Sequence, residues 1–336
     1  MKRLLSFPLH IVWHLGPTYQ NSTALKGVSV IELQLQILAF LAIGYFFGKK
    51  KLITQNAAAQ LNTLVMNLIL PCSIFRAFQR ALTREIIEST FMVLVWAIIL
   101  QVLAMIAGHY MWKKVKSPSE RLNLEYGTVS NNAGTLGLVV GQAALGEIGA
   151  LYTSIYAIPL RIVMWSYGLT IYSRSTSVSW KDVFKKTVTN PCMIAIFLGI
   201  LMMIAQSTGF VMPSLPDKII ASLAGCNTVM IMIVIGVILS EISIRDLFAP
   251  SLIWYSIVRL VLIPGIVCAG LALFHTPSIV LMVCTLESAM PAPVTMAMLS
   301  QKFHQNEAYA SKMIFLSTVL SMVTLPLWTS LLAAWF

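Results

Sequence analysis

Two stretches of this chain place polar groups where a membrane-length apolar run would ordinarily continue. One reads Ser130-Asn131-Asn132-Ala133-Gly134-Thr135-Leu136-Gly137, in the first half. The other, in the second half, reads Glu287-Ser288-Ala289-Met290-Pro291-Ala292-Pro293-Val294-Thr295. Asn131, Asn132, Ser130, Thr135, Ser288 and Thr295 offer amides and hydroxyls that can hold a polar ligand, while Gly134, Pro291 and Pro293 interrupt helical hydrogen bonding. In hydrocarbon, backbone polar groups must be satisfied within the protein or by water in a cavity, so such breaks are tolerated only where they are buried or line one. Interrupted segments at matching places in two halves point to the substrate site of a secondary transporter, with half-helix N-termini turned toward an anion. The plainer reading is that these side chains glue helices together, a common use worth roughly 0.6–2 kcal/mol.

Two charged residues sharpen the choice. Arg161 lies centrally in the apolar run 156–165. A cation at that depth costs at least about 2.5 kcal/mol, so it should face a cavity or a partner. Its planar fork suits a substrate carboxylate. The alternatives are an internal pair with Glu287 or Glu125, or capping of the broken helix's carbonyls. Glu287 is an intramembrane carboxylate that can bind a proton or sodium ion and couple it to substrate movement; alternatively it neutralises Arg161. Arg259, five residues before Pro264, reads as structural. Asn67 and Pro71 either widen a cavity wall or mark a proline kink.

The elements that must position these residues are membrane helices. Hydrophobic residues make up 58% of the chain and charged residues only 10%, and mean hydropathy is +0.82. Soluble domains carry about 25% charged residues. Ten runs are long enough to cross an apolar layer of about 30 Å: 30–48, 58–79, 90–111, 122–145, 148–172, 189–207, 218–240, 249–273, 277–300 and 309–335. If the chain alternates sides, loops after odd-numbered runs hold fourteen of the 23 Lys and Arg residues, and the opposite side holds seven. The richer side is cytoplasmic by the positive-inside rule, which turns both termini outward. A cysteine at position 183, in the basic loop 174–188, should then be labelled only after permeabilisation. The net charge of +11 is accordingly a topology and lipid-surface signal and implies no nucleic-acid partner.

Residues 1–29 form an N-terminal extension without a clear cleavage site, so a signal peptide is not expected. The five cysteines are scattered through the runs with no C-x-x-C pair, and no H-E-x-x-H or G-x-x-x-x-G-K-[ST] motif occurs. No cofactor or metal is expected, and any transport must draw on an ion gradient or the substrate's own. A nucleophile elbow with a histidine, zinc ligands and paired intramembrane aspartates are absent as well, so an enzyme is not expected.

Asn62-Thr63-Leu64-Val65-Met66 opens the second run and Asn227-Thr228-Val229-Met230-Ile231 the seventh. With five runs per half, a second copy starts on the opposite side and the repeat must be inverted. This places a first repeat at 30–173 and a second at 189–336.

Gly44-Tyr45-Phe46-Phe47-Gly48, Asn67-Leu68-Ile69-Leu70-Pro71, 132–138, Asn190-Pro191 and Ala289-Met290-Pro291-Ala292-Pro293-Val294 together resemble the auxin efflux carrier family. The similarity runs from about residue 30 to the end. It implies an all-α integral membrane protein of ten helices in two inverted five-helix repeats, with broken helices four and nine crossing, outward termini and a permease or efflux function at the cell membrane. Relatives often carry a proline where this chain has Val139, so its first break should be softer than its second.

The leading expectation is therefore a secondary carrier of a small organic anion, a dicarboxylate or auxin-like carboxylate, working by alternating access. Its site would draw on Asn131, Asn132, Gly134, Thr135, Arg161, Ser288, Pro291, Pro293 and Thr295, with Glu287 for ion coupling. Membrane lipids are its surroundings, and a homodimer is compatible. The alternative is a cation or proton antiporter with no organic substrate, which expects a deep acid pair.

Overall fold

A computed structural model describes residues 27–173, 180–240 and 249–335. The expected N-terminal extension lies outside these residues up to residue 26, and the basic loop does so from 174 to 179. Among the described residues every regular element is a helix. In chain order they are α1 (Gly27–Lys49), α2 (Gln55–Ala77), α3 (Arg84–Met111), α4 (Pro118–Val129), α5 (Leu136–Trp165), α6 (Tyr167–Ser173) and α7 (Trp180–Val188). The second half holds α8 (Pro191–Ser207), α9 (Ser214–Gly225), α10 (Asn227–Leu239), α11 (Pro250–Leu273), α12 (Ser278–Ser288), α13 (Thr295–Lys302) and α14 (Glu307–Trp335).

Six stretches among the described residues are long and apolar enough to cross a membrane: Gln55–Ala77, Arg84–Met111, Leu136–Ser173, Ser214–Leu239, Pro250–Leu273 and Glu307–Trp335. Leu35–Lys49, Pro191–Ser207 and Ser278–Ser288 are shorter apolar helices. Large side chains such as Phe91, Ile98, Val102 and Ile106 on α3, Phe197 and Leu201 on α8, and Val323 and Leu327 on α14 are exposed. Stripes of that kind would be untenable in water and are suited to lipid.

Local chemistry sets the boundaries. Thr54, Thr83, Ser117 and Asn190 each accept a hydrogen bond from an N–H of the first helical turn, satisfying a donor that the helix leaves open. At Asn190-Pro191 the cap is followed by a proline at the first helical position, where a missing N–H costs nothing. Within α2 and α11 a π-helical turn, Val65–Ile69 and Val258–Leu262 respectively, precedes Pro71 and Pro264. Pro264 cannot donate to Leu260 four residues back, and the Trp328 indole N–H from α14 donates to that carbonyl at 2.9 Å. Asn67 points its amide to Thr63 O one turn earlier, 2.8 Å away, so Pro71 marks an accommodated distortion of α2. Inside α5, Gly146 adopts φ 67° and ψ −154°, which turns the chain between 136–145 and 147–165.

The helices sort into two groups by what they pack against. In one, α1 lies along α10, and α2 packs on α8, α9 and α10. In the other, α3 packs on α4, α5 and α12, α11 on α12 and α14, and α13 on α14. The groups meet where α2 touches α5 and α1 touches α14. The α1–α10 seam is drawn tight by glycine. A Cβ at Gly44 would collide with Ile233 O, one at Gly236 with Leu41 O, and one at Gly48 with the Ser240 hydroxyl. The G-x-x-x-G step at 44–48 therefore serves close backbone approach.

Val183 is buried on α7, while Phe184 beside it is 70% exposed, so position 183 is a poor labelling site and 184 replaces it. Gly236→Ala should separate α1 from α10 and cost about 1–3 kcal/mol. The check is a lowered melting temperature in detergent, with Gly225→Ala, where a Cβ meets nothing within 4 Å, unchanged as the control.

Candidate functional site

Both expected interruptions are present and they bind each other. After α4 the chain runs extended through Ser130 and Asn131, makes one 3-10 turn over Asn132–Gly134, and resumes as α5. After α12 it leaves the helix at Ala289 and resumes as α13 at Thr295. The Asn132 N–H donates to Pro291 O at 2.9 Å, and Asn131 Nδ2 donates to Glu287 O at 2.7 Å. Asn131 Oδ1 accepts from the Ala133 N–H at 3.0 Å, so both ends of this amide are engaged within the fold.

Several of the other open backbone groups are met by neighbouring helices. Arg259, 3% exposed, donates from Nη1 to Thr128 O (3.1 Å), from Nη2 to Ser288 O (2.9 Å) and from Nε to Met290 O (2.9 Å). One guanidinium thus bonds to both interruptions. Gln101 on α3 donates to Val129 O at 2.9 Å, and Ser317 on α14 accepts from the Ala292 N–H at 3.1 Å. Arg161 Nη2 donates to Gly134 O at 3.0 Å.

Arg161 therefore does what the third alternative for it foresaw: it caps a carbonyl of the broken segment. Among the described residues no ion pair joins it to Glu287 or Glu125. It lies beside the Cys192 thiol at the start of α8, and its Nη1 is buried with no hydrogen-bond partner. Glu125 is engaged elsewhere, accepting from Tyr167 OH at 2.5 Å and lying 3.4 Å from His109 Nδ1.

Of the other expected residues, Pro293 O accepts from the Met296 N–H at 3.1 Å, and Thr295 shares a 3.1 Å hydrogen bond with Tyr126 OH. Ser288 Oγ donates to Thr285 O one turn back at 2.8 Å, and Thr135 sits at the N-terminus of α5. Glu287 is wholly buried, with Thr153 Oγ donating to its Oε1 at 2.9 Å.

Two cavities flank this core. The larger, about 100 Å³, lies between the helix groups, with Ile37 and Leu41 of α1 and Met232 of α10 facing Leu136 and Val140 of α5 and Thr318 and Ser321 of α14. The smaller, about 40 Å³, lies inside the second group and is lined by Asn131, Ser288, Arg259, Gln101 and Tyr156 among others. Asn131 and Ser288 thus share a cavity that Arg161 does not line. Gln101, Thr153 and Ser317 were not singled out from the sequence. A lone amide within the apolar run 90–111 was the available signal for Gln101, whereas hydroxyls in helices are too common to mark the other two.

The chain matches the membrane transport protein family over residues 29–329. It belongs to that family. An uncharacterized transporter of Methanothermobacter thermautotrophicus is 26% identical over 311 residues, covering 90% of this chain and 98% of the relative. One of Methanocaldococcus jannaschii is 22% identical over 311 residues, 89% of this chain and 97% of its own length. One of Escherichia coli is 21% identical over 302 residues, 88% and 95% respectively. The motif resemblance pointed to this family, whose members transport and do not catalyse, and this transporter is a multi-pass integral membrane protein.

Arg259→Gln should leave several buried carbonyls open and cost at least about 3 kcal/mol at about 1–3 kcal/mol for each unmet group. Thermal unfolding in detergent should place it well below Arg161→Gln, which loses the single bond to Gly134 O. Because Arg161 and Glu287 form no ion pair and bond to different partners, the stability changes of Arg161→Gln and Glu287→Gln should add in the double variant to within about 0.5 kcal/mol.

Proposed function

We propose that this transporter is a secondary carrier of a small organic anion, working by alternating access around two broken helices that cross. The observation that carries the reading is the direct Asn132 N–H to Pro291 O bond between the interruptions, with Arg259 bonded to both. The proposed topology has ten spans. The fourth is α4 with residues 136–145, the fifth 147–173, the seventh α9 with α10, and the ninth α12 with α13; the other six are α1, α2, α3, α8, α11 and α14.

Two regularities support an inverted repeat of 30–173 and 189–336. The first two spans of each half pack together in one group and the last three in the other. In each half the third span supplies a donor to an interruption, Gln101 or Arg259, and the fifth supplies Arg161 or Ser317.

The substrate is a dicarboxylate or an auxin-like carboxylate. Arg161 Nη1, buried and unpartnered, would take a carboxylate oxygen, with Asn132, Gly134, Thr135, Pro291, Pro293 and Thr295 around the breaks shaping the approach. Glu287 would couple transport to an ion. Bacterial and archaeal relatives support the plasma membrane as the location, and the basic bias supports outward termini.

Purified protein in liposomes should take up carboxylates saturably from a panel of malate, malonate and indole acetate, tested with and without proton and sodium gradients. Cation exchange indifferent to every carboxylate would establish the antiporter and defeat the carrier. Arg161→Gln should lower uptake about 10- to 100-fold, the worth of a hydrogen bond to a charged group, and Arg161→Lys should recover little because an ammonium lacks the fork. In a background without native cysteines, Phe184→Cys should react with an impermeant maleimide only after permeabilisation; reaction on intact cells would reverse the topology.

A further inference from the structure

Glu287 is sealed among groups that cannot balance a negative charge. Its Oε1 receives one hydrogen bond, from Thr153, and its Oε2 has no partner although the residue is 0% exposed. Gly137 faces it so closely that a Cβ there would overlap the carboxyl group. The ionisable neighbours are Cys284 on α12 itself and Tyr156 on α5, neither of which supplies positive charge. Of the other elements packed on α12, α11 brings Arg259, whose three nitrogens each donate to a backbone carbonyl, and Cys268. The stretches 89–108 of α3 and 313–335 of α14 contain no ionisable residue. Among the described residues no Lys, Arg or His nitrogen forms an ion pair with Glu287. An ionised carboxylate held that way costs many kcal/mol, and such a group takes up a proton instead.

Sodium is disfavoured by the same inventory. Carriers of this architecture hold sodium with the carbonyls of unwound helix. Here Ser288 O and Met290 O accept from Arg259, Glu287 O from Asn131 and Pro291 O from Asn132. Near the carboxyl group the side chains on hand are the Thr153 hydroxyl, the Tyr156 phenol and the Cys284 thiol, and Gly137 offers none.

We propose that Glu287, Thr153 and Gly137 form a proton-binding site that is loaded in this conformation, so that the coupled ion is a proton and not sodium. This rests on the reading of Glu287 as the coupling residue. In a conformation open to water on one side, the Glu287 carboxylate accepts a proton, forming an O–H bond. It crosses as the neutral acid, and the bond breaks to return the proton to water on the other side. Thr153 is a positioning residue that holds the carboxyl oriented, and Gly137 leaves room for the group to pack without charge.

The test reads the carboxyl group directly and needs no substrate. Infrared difference spectra of wild type minus Glu287→Gln, at a pH where exposed carboxylates are ionised, should show the carbonyl stretch of a protonated acid. That band should move to higher frequency in Thr153→Val and stay unchanged when sodium chloride replaces potassium chloride. Absence of the band, or its loss on adding sodium, overturns the proposal. Should Glu287→Gln fail to fold, the wild type minus Thr153→Val spectrum provides the same reading. A band that persists while carboxylate uptake ignores a proton gradient overturns the coupling and leaves the organic-anion reading intact. Failure of carboxylate uptake with the band present defeats that reading alone.

Discussion

A chain that leaves the helix inside a membrane must find new partners for its amide groups within the protein, because lipid offers none. The structure depends on how that demand is met at 130–135 and 289–294. Each interruption takes part of its hydrogen bonding from the other, and a further share comes from side chains on helices packed around them. Arg259 carries the largest share, and its position in the middle of α11 is affordable only because three carbonyl dipoles surround it. The cation and the two unwound segments therefore require one another: neither would be stable at that depth alone.

The two intramembrane arginines and the one deep glutamate divide the electrostatic work unequally. Arg259 is held by three carbonyl dipoles, one on each of its nitrogens. Arg161 is half satisfied, with one terminal nitrogen on Gly134 O and the other open. Glu287 is held by a single hydroxyl. A side chain with an open donor or acceptor keeps capacity for a ligand that a fully engaged one lacks. That ordering is the physical reason for setting Arg161 and Glu287 apart from Arg259, although all three are buried.

Much of the fold was legible in the chain. Long apolar runs located the helices, and the turn expected between 145 and 148 falls at Gly146. The interruptions were legible because Asn-Asn-Ala-Gly and Pro-Ala-Pro are poor continuations of any helix. Less legible was the direction in which each polar side chain points. A helix apolar on nearly every side carries little periodic signal for its inward face, so Arg161 could not be assigned to Gly134 O over Glu287 from spacing. The division of the seventh run between α9 and α10 falls at Gly225-Cys226-Asn227, where an isolated glycine was too weak a signal to split an otherwise apolar run. The burial of Val183 on α7 likewise depends on contacts with α5 and α8 that sequence distance hides.

The turn at Gly146 has one more implication. Only glycine adopts a φ of 67° with so extended a ψ at little cost, and helix resumes on either side without a loop. The stretch 136–145 consequently has no slack with respect to 147–165. Gly141 and Gly149 tighten the hairpin further, since a Cβ on Gly149 would strike Gly141 O and one on Gly141 the Thr153 hydroxyl. Any displacement of the first broken helix beyond Gly134 is thus transmitted to Thr153 and Arg161 as a lever moves its far arm, so the cap on Gly134 O and the partner of Glu287 shift in step.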